Sequence, residues 1–309
     1  MGNTRFSAVR WGLWGLVGLV GLGSSAEATT LRWKFKAGET LRWEMEQKQD
    51  TTIKAGGREI SSKMVQTVDL RWTVKNVKDD GTAEMGQTID RMRTKMESAI
   101  EKFEYDSKSD KEPEGLVAQQ ILPLFKAMIG AEFTFTMNAQ GELSDVKVPE
   151  QIVKILRDSG PAAPGGSGMF SEEGLKNMIR ESSLALPSKD LAKGESWTRT
   201  TKMPPSPIGT MTLDKTYRFQ GPDAQAGPDV DAIELESKLD FKPAPNAPGV
   251  FEIKSHQGKG TFFFDEKAGR VVRSNVSEGV ETVEGAMNFL VNKKQEMTAT
   301  MKLVEVVQK

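Results

Sequence analysis

The sequence contains no cysteine and a single histidine, His256, and both scarcities exclude whole classes of chemistry. Without cysteine there are no disulfides, no thiolate metal ligands, no cysteine nucleophile and no lipid-modified N-terminal cysteine. With one histidine there is no histidine-rich metal site, and a Ser-His-Asp arrangement would depend on His256 alone. His256 follows a strand-like segment, where an ordinary surface position is expected. We therefore expect no cofactor, no metal and no catalytic residue, with a hydrolase as the remaining enzymatic alternative.

Neither sign of charge dominates. Lys and Arg together number 42 and Asp and Glu 43, so no net field favours nucleic acid or an anionic membrane surface as a partner. The chain is 37% hydrophobic and 28% charged, which is typical of a globular protein. Its 309 residues suffice for one large domain or two smaller ones.

Only one long apolar run is present, at the N-terminus. Arg5 and Arg10 precede the run from Trp11 to Leu22, and Ala26-Glu27-Ala28 offers a signal peptidase small residues. The pattern predicts a signal peptide over residues 1–28, with a second possible cleavage site two residues earlier. An uncleaved anchor is the alternative, although the run is shorter than the roughly 20 residues that a membrane span needs.

The expected mature protein is therefore exported, with no transmembrane segment after cleavage. An exported chain without cysteine favours a bacterial periplasmic or extracellular setting.

The fold prediction rests on the stretch from Thr40 to Ile89. Apolar or amide residues alternate with charged ones from Leu41 to Ile53, and Gly56-Gly57 then suits a two-residue hairpin turn. The register set by this turn places six pairs on one face, and a slip of one residue would turn that whole face outward. The pairs are Ile53 with Ile60, Gln49 with Met64, Gln47 with Gln66, Met45 with Val68, Trp43 with Leu70, and Leu41 with Trp72. The sequence thus predicts a core of Leu41, Trp43, Leu70 and Trp72.

A second turn at Asp80-Gly81 continues the meander. It predicts that Trp72 lies towards Ile89 and Val74 towards Gln87. Beyond that point Arg91 and Arg93 would face inward and Met92 and Met96 outward, so we expect a β-bulge near Asp90 to correct the alternation.

The remaining chain adds further strands, helices and one linker. The patterns predict a short strand over Leu31 to Phe35, a solvated loop over Glu97 to Glu114, and a hairpin from Phe133 to Val148. Helices are expected near 115–129, where Pro123 kinks or divides the helix, and near 149–157. A Gly/Pro-rich linker at 159–168 separates an N-terminal unit, 29–158, from a second unit, 169–309, which begins with a helix capped by Ser171.

The second unit is again β-rich. Its final alternation runs from Val283 to Leu303, which is too long for one straight strand, and Lys293 and Gln295 mark the expected interruption. A Gly-Glu turn before a Trp strand, and an aromatic hairpin later, occur in both halves, at Trp43 and Trp197 and at Phe133 and Phe262. The expected fold class is β-rich α+β, with long, strongly curved antiparallel meander sheets and a few helices on one face. The motifs shared by the two halves have two explanations, a duplicated unit or similar turn chemistry alone.

The whole mature chain, and especially the segment from Leu31 to Met45, resembles an uncharacterised family of bacterial secreted proteins known as a domain of unknown function. That resemblance implies no catalytic residues. In architecture, long antiparallel strands with helices against one face also resemble the half-barrel carriers of lipids and lipoproteins in the periplasm, which implies a binding function by analogy alone.

One face of the meander carries thioethers and amides where a dry core would contain Val, Ile and Leu. We interpret it as a candidate groove for a hydrophobic small molecule or an envelope protein's apolar segment, with a hairpin tip extending beyond the core as the simpler explanation. The alternative function is structural assembly through sheet edges. The candidate groove residues are Met45, Gln47, Gln49, Met64, Gln66, Met85 and Gln87.

Overall fold

A computed structural model describes residues 28–99, 101–158, 171–203, 208–247, 249–286 and 289–308. The expected signal peptide, apart from Ala28, and the expected linker at 159–168 lie outside the described residues.

In the described part of the chain strands dominate, and three helices lie in its middle, one between β4 and β5 and two between β6 and β7. The strands are β1 (Glu39–Ala55), β2 (Arg58–Val77), β3 (Ala83–Ser98), β4 (Lys102–Asp106), β5 (Glu132–Met137), β6 (Leu143–Lys147), β7 (Ser196–Lys202), β8 (Gly209–Pro222), β9 (Val230–Pro243), β10 (Val250–Asp265), β11 (Arg270–Ala286) and β12 (Phe289–Gln308). The helices are α1 (Leu116–Met128), α2 (Glu150–Asp158) and α3 (Glu172–Glu181).

All twelve strands belong to one curved, unclosed antiparallel sheet, which confirms the expected fold class. Their order is β6-β5-β3-β2-β1-β12-β11-β10-β9-β8-β7, with β4 paired to β3. Each half of the chain is a meander, and the first and last strands, β1 and β12, join the two meanders in the middle of the sheet. The aromatic hairpins compared above are β5-β6 and β10-β11.

The register of the first hairpin is confirmed. All six predicted pairs occur between β1 and β2, from Ile53 opposite Ile60 to Leu41 opposite Trp72. Gly56 and Gly57 have φ angles of 56° and 75°, a region that favours glycine, so this turn can close with two residues. Alternation along β1 and the turn chemistry therefore agree on one register.

The second hairpin confirms the bulge and corrects the pairing before it. The register shifts opposite Asp90, which returns Met92 and Met96 to the same face as Trp72 and sends Arg91 outward. The pairing of Trp72 with Ile89 is wrong by two residues: Trp72 faces Gln87, and Leu70 faces Ile89. Val74 likewise faces Met85 and not Gln87. A further register shift between Val74 and Asn76, close to the turn, accounts for part of the difference.

Three other expectations are wrong. Residues 31–36 form an extended segment outside the ladders, although Leu31 and Trp33 are buried in the core. The expected loop from Glu97 to Glu114 contains β4, whose Phe103 and Tyr105 are buried against α1. The alternation from Val283 to Leu303 belongs to two antiparallel strands, β11 and β12, which pair from Ala286 and Phe289 onward, so the interruption does not lie at Lys293.

Local signals in the middle of the chain are confirmed. The hairpin from Phe133 forms as β5-β6, and a helix forms near 115–129. This helix, α1, continues through Pro123, so the expectation that Pro123 divides it is wrong. The hydroxyl of Ser171 accepts a hydrogen bond from the backbone N–H of Gly174 at 3.0 Å, which caps α3.

The core is built on the inner face of the sheet, which we define as the face that carries Trp43 and Trp72. These two rings lie 5.8 Å apart, and Trp72 also contacts Trp33 and Phe135. Leu175 and Ile179 of α3 are buried in the same cluster. A second cluster contains Ala118 and Leu122 of α1 with β3 and β4 residues such as Met92. The helices therefore cover part of one face, and the outer face is left to charged and hydroxyl side chains.

Candidate ligand groove

The inner face has two halves. In the closed half the side chains are buried, as are Leu41, Trp43, Ile233 and Phe264. Towards the hairpin tips the side chains are half-buried, and we call this region the open half. Directly paired residues of antiparallel strands share a face, so strand pairing identifies its members, apart from Met203, which lines the same face beyond the end of β7. They are Gln47, Gln49, Met64, Gln66, Met203, Leu213, Leu239, His256, Val280, Gln295, Met297 and Ala299.

A row of direct pairs shows that the open half is continuous. Met64 of β2 faces Gln49 of β1, which faces Met297 of β12, and Met297 faces Glu278 of β11. The row therefore crosses from the first meander into the second through the β1-β12 junction. Each side chain in it remains partly accessible to solvent.

The predicted groove residues have different surroundings. Gln47, Gln49 and Met64 lie in the open half, and the Gln49 amide donates to the Thr51 hydroxyl at 3.2 Å. Gln66, also in the open half, donates to the Thr94 hydroxyl at 3.1 Å. The three other candidates lie towards the core.

Met85 is 1% exposed and belongs to the main core cluster. The Gln87 carbonyl accepts the indole N–H of Trp72 at 2.9 Å. Met45 packs against the cluster under α1. Alternation along the strands predicts that these three side chains point to the inner face. It does not predict which inner-face residues the helices bury.

A small cavity of about 130 Å³ lies on the other side of the junction. It is lined by Met203, Leu213, Leu239, His256, Glu278, Val280, Gln295 and Met297. Sequence reasoning placed several of these on strands but missed the site, because its walls come from strands that are distant in the chain. An apolar cavity of similar size, about 150 Å³, can hold a benzene ring.

Strands β9 and β10 separate beside this cavity. The β9-β10 ladder ends where Ser237 pairs with Gly258. Beyond it the backbone N–H of Leu239 donates to Nδ1 of His256 at 3.1 Å. Nearer the tips, the rings of Phe241 and Phe251 touch across the division, with centroids 4.6 Å apart. His256 is thus a half-buried residue within β10, which corrects its expected place after a strand, and one ring nitrogen completes the backbone hydrogen bonding of β9.

An ion cluster borders the open half at β7 and β8. Arg199 and Lys215 are directly paired, and the Glu181 carboxylate at the end of α3 contacts both. Its distances are 2.9 Å to Lys215 Nζ and 3.8 Å to an Arg199 nitrogen, and it accepts the Thr201 hydroxyl at 2.8 Å. Burial acts to raise the pKa of Glu181, but Lys215 and these other partners outweigh it, so the pKa lies below its usual value.

Two larger clefts have a different character. One of about 590 Å³ lies on the outer face, among residues such as Glu236, Lys259 and Thr300. The other, about 690 Å³, lies beside α1 and includes Glu112 and Lys126. The outer-face cleft is lined largely by charged and hydroxyl side chains. The cleft beside α1 combines Ala118, Leu122 and Pro123 with the Lys126–Glu112 ion pair, and it lies away from the open half. Among the described residues no group of three or more His, Asp or Glu side chains could hold a metal ion.

Comparison with known proteins gives a family and a loose structural similarity. A family model described as "Family of unknown function (DUF6263)" matches residues 80–239, so the expected resemblance to a domain of unknown function is confirmed. No curated protein sequence matches the chain. Within the described residues no helix is long and apolar enough to cross a membrane.

Three solved structures have a low similarity to the chain. A lipovitellin structure, concerned with lipid-protein interactions, has 12% identity and a TM-score of 0.46 over 89% of this chain. The match covers 26% of the lipovitellin chain. DynF from Micromonospora chersina has 9% identity and a TM-score of 0.20, covering 93% of this chain and 92% of its own. An outer membrane channel from Pseudomonas putida F1 has 7% identity and a TM-score of 0.26, covering 88% and 97%. With TM-scores below 0.5, these similarities carry no argument about function.

Proposed function

Since the chain belongs to the Family of unknown function (DUF6263), we propose a function from its own geometry: non-catalytic binding of a hydrophobic ligand in the open half of the inner face. One observation carries the proposal. The large apolar side chains that line the open half belong to neither core cluster. They are Met64, Met203, Leu213, Leu239, Val280 and Met297.

The energetic reason is the apolar surface that these side chains leave in contact with water. Burial of apolar area stabilises by about 25 cal/mol per Å². A ligand that removed about 200 Å² from water would gain ~5 kcal/mol, before the cost of association reduces that gain. A bound apolar ligand would therefore shield the open half from water, as the helices shield the closed half.

The residue types suit a ligand better than a permanent core. Met64, Met203 and Met297 have unbranched, polarizable side chains that adapt to different apolar shapes. Gln49 and Gln295 add amide groups whose hydrogen bonds can be made to water when the groove is empty. A face of this kind holds an apolar ligand without requiring one particular shape.

Binding of the neutral fluorescent probe N-phenyl-1-naphthylamine tests the proposal. The double variant Leu239→Gln/Met297→Gln makes two walls of the groove polar, and we expect its probe affinity to fall about tenfold, equivalent to ~1.4 kcal/mol. The matched control Lys238→Gln/Thr298→Gln changes the neighbouring outer-face residues and should bind as wild type. Far-UV circular dichroism checks that both variants fold. Absence of probe binding by wild type, together with no co-purifying ligand in native mass spectrometry, would overturn the proposal.

Assembly through sheet edges is the second candidate, because the sheet is unclosed and ends at β6 and β7. Both edge strands are short, at 5 and 7 residues, and Glu181 of α3 contacts Arg199 and Thr201 of β7. Short or covered edges disfavour the addition of another strand. Recovery of monomer alone after cross-linking in cells would exclude this candidate.

We also propose that the protein is exported to the periplasm or the medium. The support is the basic and apolar pattern before Ala28. N-terminal sequencing of the protein from a secreting host tests it, with Thr29 as the expected first residue. A mature chain that still begins at Met1 would contradict export by this route.

A further inference from the structure

We propose that the ligand is an amphiphile with an anionic head group, and that Arg199 and Lys215 bind this head group. The inference rests on the proposed function, because it assigns the chemistry of the ligand in the same groove. In the free protein the Glu181 carboxylate lies between the two cations, and in the complex the head group of the ligand takes that position.

The first observation is the pairing of two cations at the border of an apolar surface. Arg199 and Lys215 are directly opposite each other on β7 and β8, and like charges in such a pair destabilise a sheet. Their side chains are only 26% and 15% exposed, so water screens the repulsion weakly. An anion between the two cations is therefore needed to offset their repulsion. Glu181 supplies a single carboxylate, which leaves one positive charge uncompensated within the cluster.

The second observation is the unused hydrogen-bonding capacity of Arg199. A guanidinium has five N–H donors in a geometry that suits carboxylate and phosphate groups. Among the described residues the ion pair of Arg199 is its 3.8 Å contact with Glu181, which is too long for a hydrogen bond. Lys215 is held more closely, since its ammonium also donates to the Glu181 backbone carbonyl at 3.3 Å. Arg199 can thus exchange its Glu181 contact for the head group without breaking a short hydrogen bond.

The third observation is the position of this pair relative to the groove. Leu213 is two residues from Lys215 on the same face of β8, and it is directly paired with Leu239. From β8 to β12 the groove crosses four strand positions, which at about 4.8 Å each give ~19 Å to Met297, and the division between β9 and β10 lengthens this distance. One leaflet of a bilayer has a hydrocarbon depth of ~15 Å, so an extended acyl chain that begins at Arg199 and Lys215 crosses most of the groove.

The charge of Glu278 sets the direction of the ligand. Glu278 lines the cavity, and its carboxylate accepts the hydroxyl of Ser237, the residue directly paired with Lys215, at 3.4 Å. At the β8 end Arg199 and Lys215 offset the repulsion between Glu278 and an anionic head group, whereas a head group beside Met297 would meet Glu278, its direct pair, without those two cations. A head group at the opposite end would lie next to a carboxylate, which favours an amine.

Three single-chain ligands of equal length, dodecanoic acid, dodecan-1-ol and dodecylamine, test the inference by displacement of N-phenyl-1-naphthylamine. We expect wild type to bind the acid about tenfold more tightly than the alcohol, and the amine no more tightly than the alcohol. Arg199→Gln and Lys215→Gln should each reduce the preference for the acid to about threefold or less, with unchanged affinity for the alcohol.

Glu181→Gln provides the sharpest variant, because it removes the internal competitor and leaves both cations. Its affinity for the acid should rise severalfold, whereas Glu173→Gln, on the exposed part of the same helix, should behave as wild type. Equal binding of acid and alcohol, or tighter binding of the amine, would overturn the anionic head group and leave the hydrophobic groove standing. Failure of all three ligands to bind would overturn the proposed function together with this inference.

Discussion

Replacing Trp43 by alanine tests the link between sequence, register and stability. Trp43 is 1% exposed and contacts Trp72 in the main core cluster. A buried tryptophan removes about 150–250 Å² from water, which at ~25 cal/mol per Å² is worth ~4–6 kcal/mol. The indole N–H is buried without a partner among the described residues, and an unpaired donor costs about 1–3 kcal/mol. The net loss for Trp43→Ala is therefore ~3 kcal/mol, a large part of the roughly 5–15 kcal/mol that holds a protein folded.

Urea unfolding, followed by circular dichroism, measures this loss. Glu44→Ala changes the neighbouring, exposed residue on the outer face and should alter the free energy of unfolding by less than about 0.5 kcal/mol. A second comparison isolates the indole: Trp43→Phe loses no hydrogen bond, whereas Trp33→Phe loses the 3.0 Å bond from its indole N–H to the Leu184 carbonyl. Trp33→Phe should be more destabilising by about 1–2 kcal/mol. Equal unfolding of the Trp43→Ala and Glu44→Ala proteins would refute the register and the inner face built on it.

Two further predictions concern a buried carboxyl group and a turn. Burial, and then the nearby Glu266, raise the pKa of Asp231 to about 6, above the unfolded value of ~3.9. Ionisation in the folded state therefore destabilises the protein above pH ~6, and this penalty disappears as the pH falls to ~4. Asp231→Asn should raise the melting temperature at pH 7.5 and leave it unchanged at pH 4; an equal rise at both pH values would contradict the assignment. Gly57 has a φ of 75° with open space around it, so Gly57→Ala should cost about 1–2 kcal/mol from backbone strain alone. Gly279→Ala, which also meets open space but without a positive φ, should change the unfolding free energy by less than about 0.5 kcal/mol; similar losses for both variants would show that strain is not the cause.

The first hairpin could be predicted because its determinants are local. Gly56 and Gly57 define the turn, and the alternation along β1 and β2 then leaves one register that keeps Trp43 and Trp72 on the same face. The second hairpin was predictable only in part. Its bulge at Asp90 was visible because charge broke the alternation, but nothing in the sequence marked the extra shift beside Val74.

Other elements depend on contacts between distant parts of the chain. The segment around Trp33 has the pattern of a strand, yet its backbone N–H groups at Trp33 and Lys34 donate to the carbonyls of Ala139 and Gly269 in two different turns. In β4 the signal was two aromatic residues within a highly charged stretch, and α1 buries both of them. A highly charged stretch predicts a loop only if no other element offers an apolar surface. Where one does, alternate residues of the stretch can pack against it and form a strand.

The open half of the inner face shows what periodicity alone can and cannot determine. Along β1 the inward residues change from Leu41 and Trp43 to Gln47 and Gln49, and along β12 they change from Leu303 to Met297 and Gln295. This change of residue type is present in the sequence, and along β1 it coincides with the boundary between buried and half-buried side chains.

Periodicity could not show that these two strands meet. The pairing of Gln49 with Met297 joins residues from opposite ends of the chain. It brings the parts of the two meanders that are rich in Met and Gln into one surface. The same junction extends that surface to Leu239 and Leu213, and from there to the paired cations Arg199 and Lys215. The resulting surface is apolar along most of its length and positively charged at one end. These two properties favour an anionic amphiphile over a purely apolar ligand.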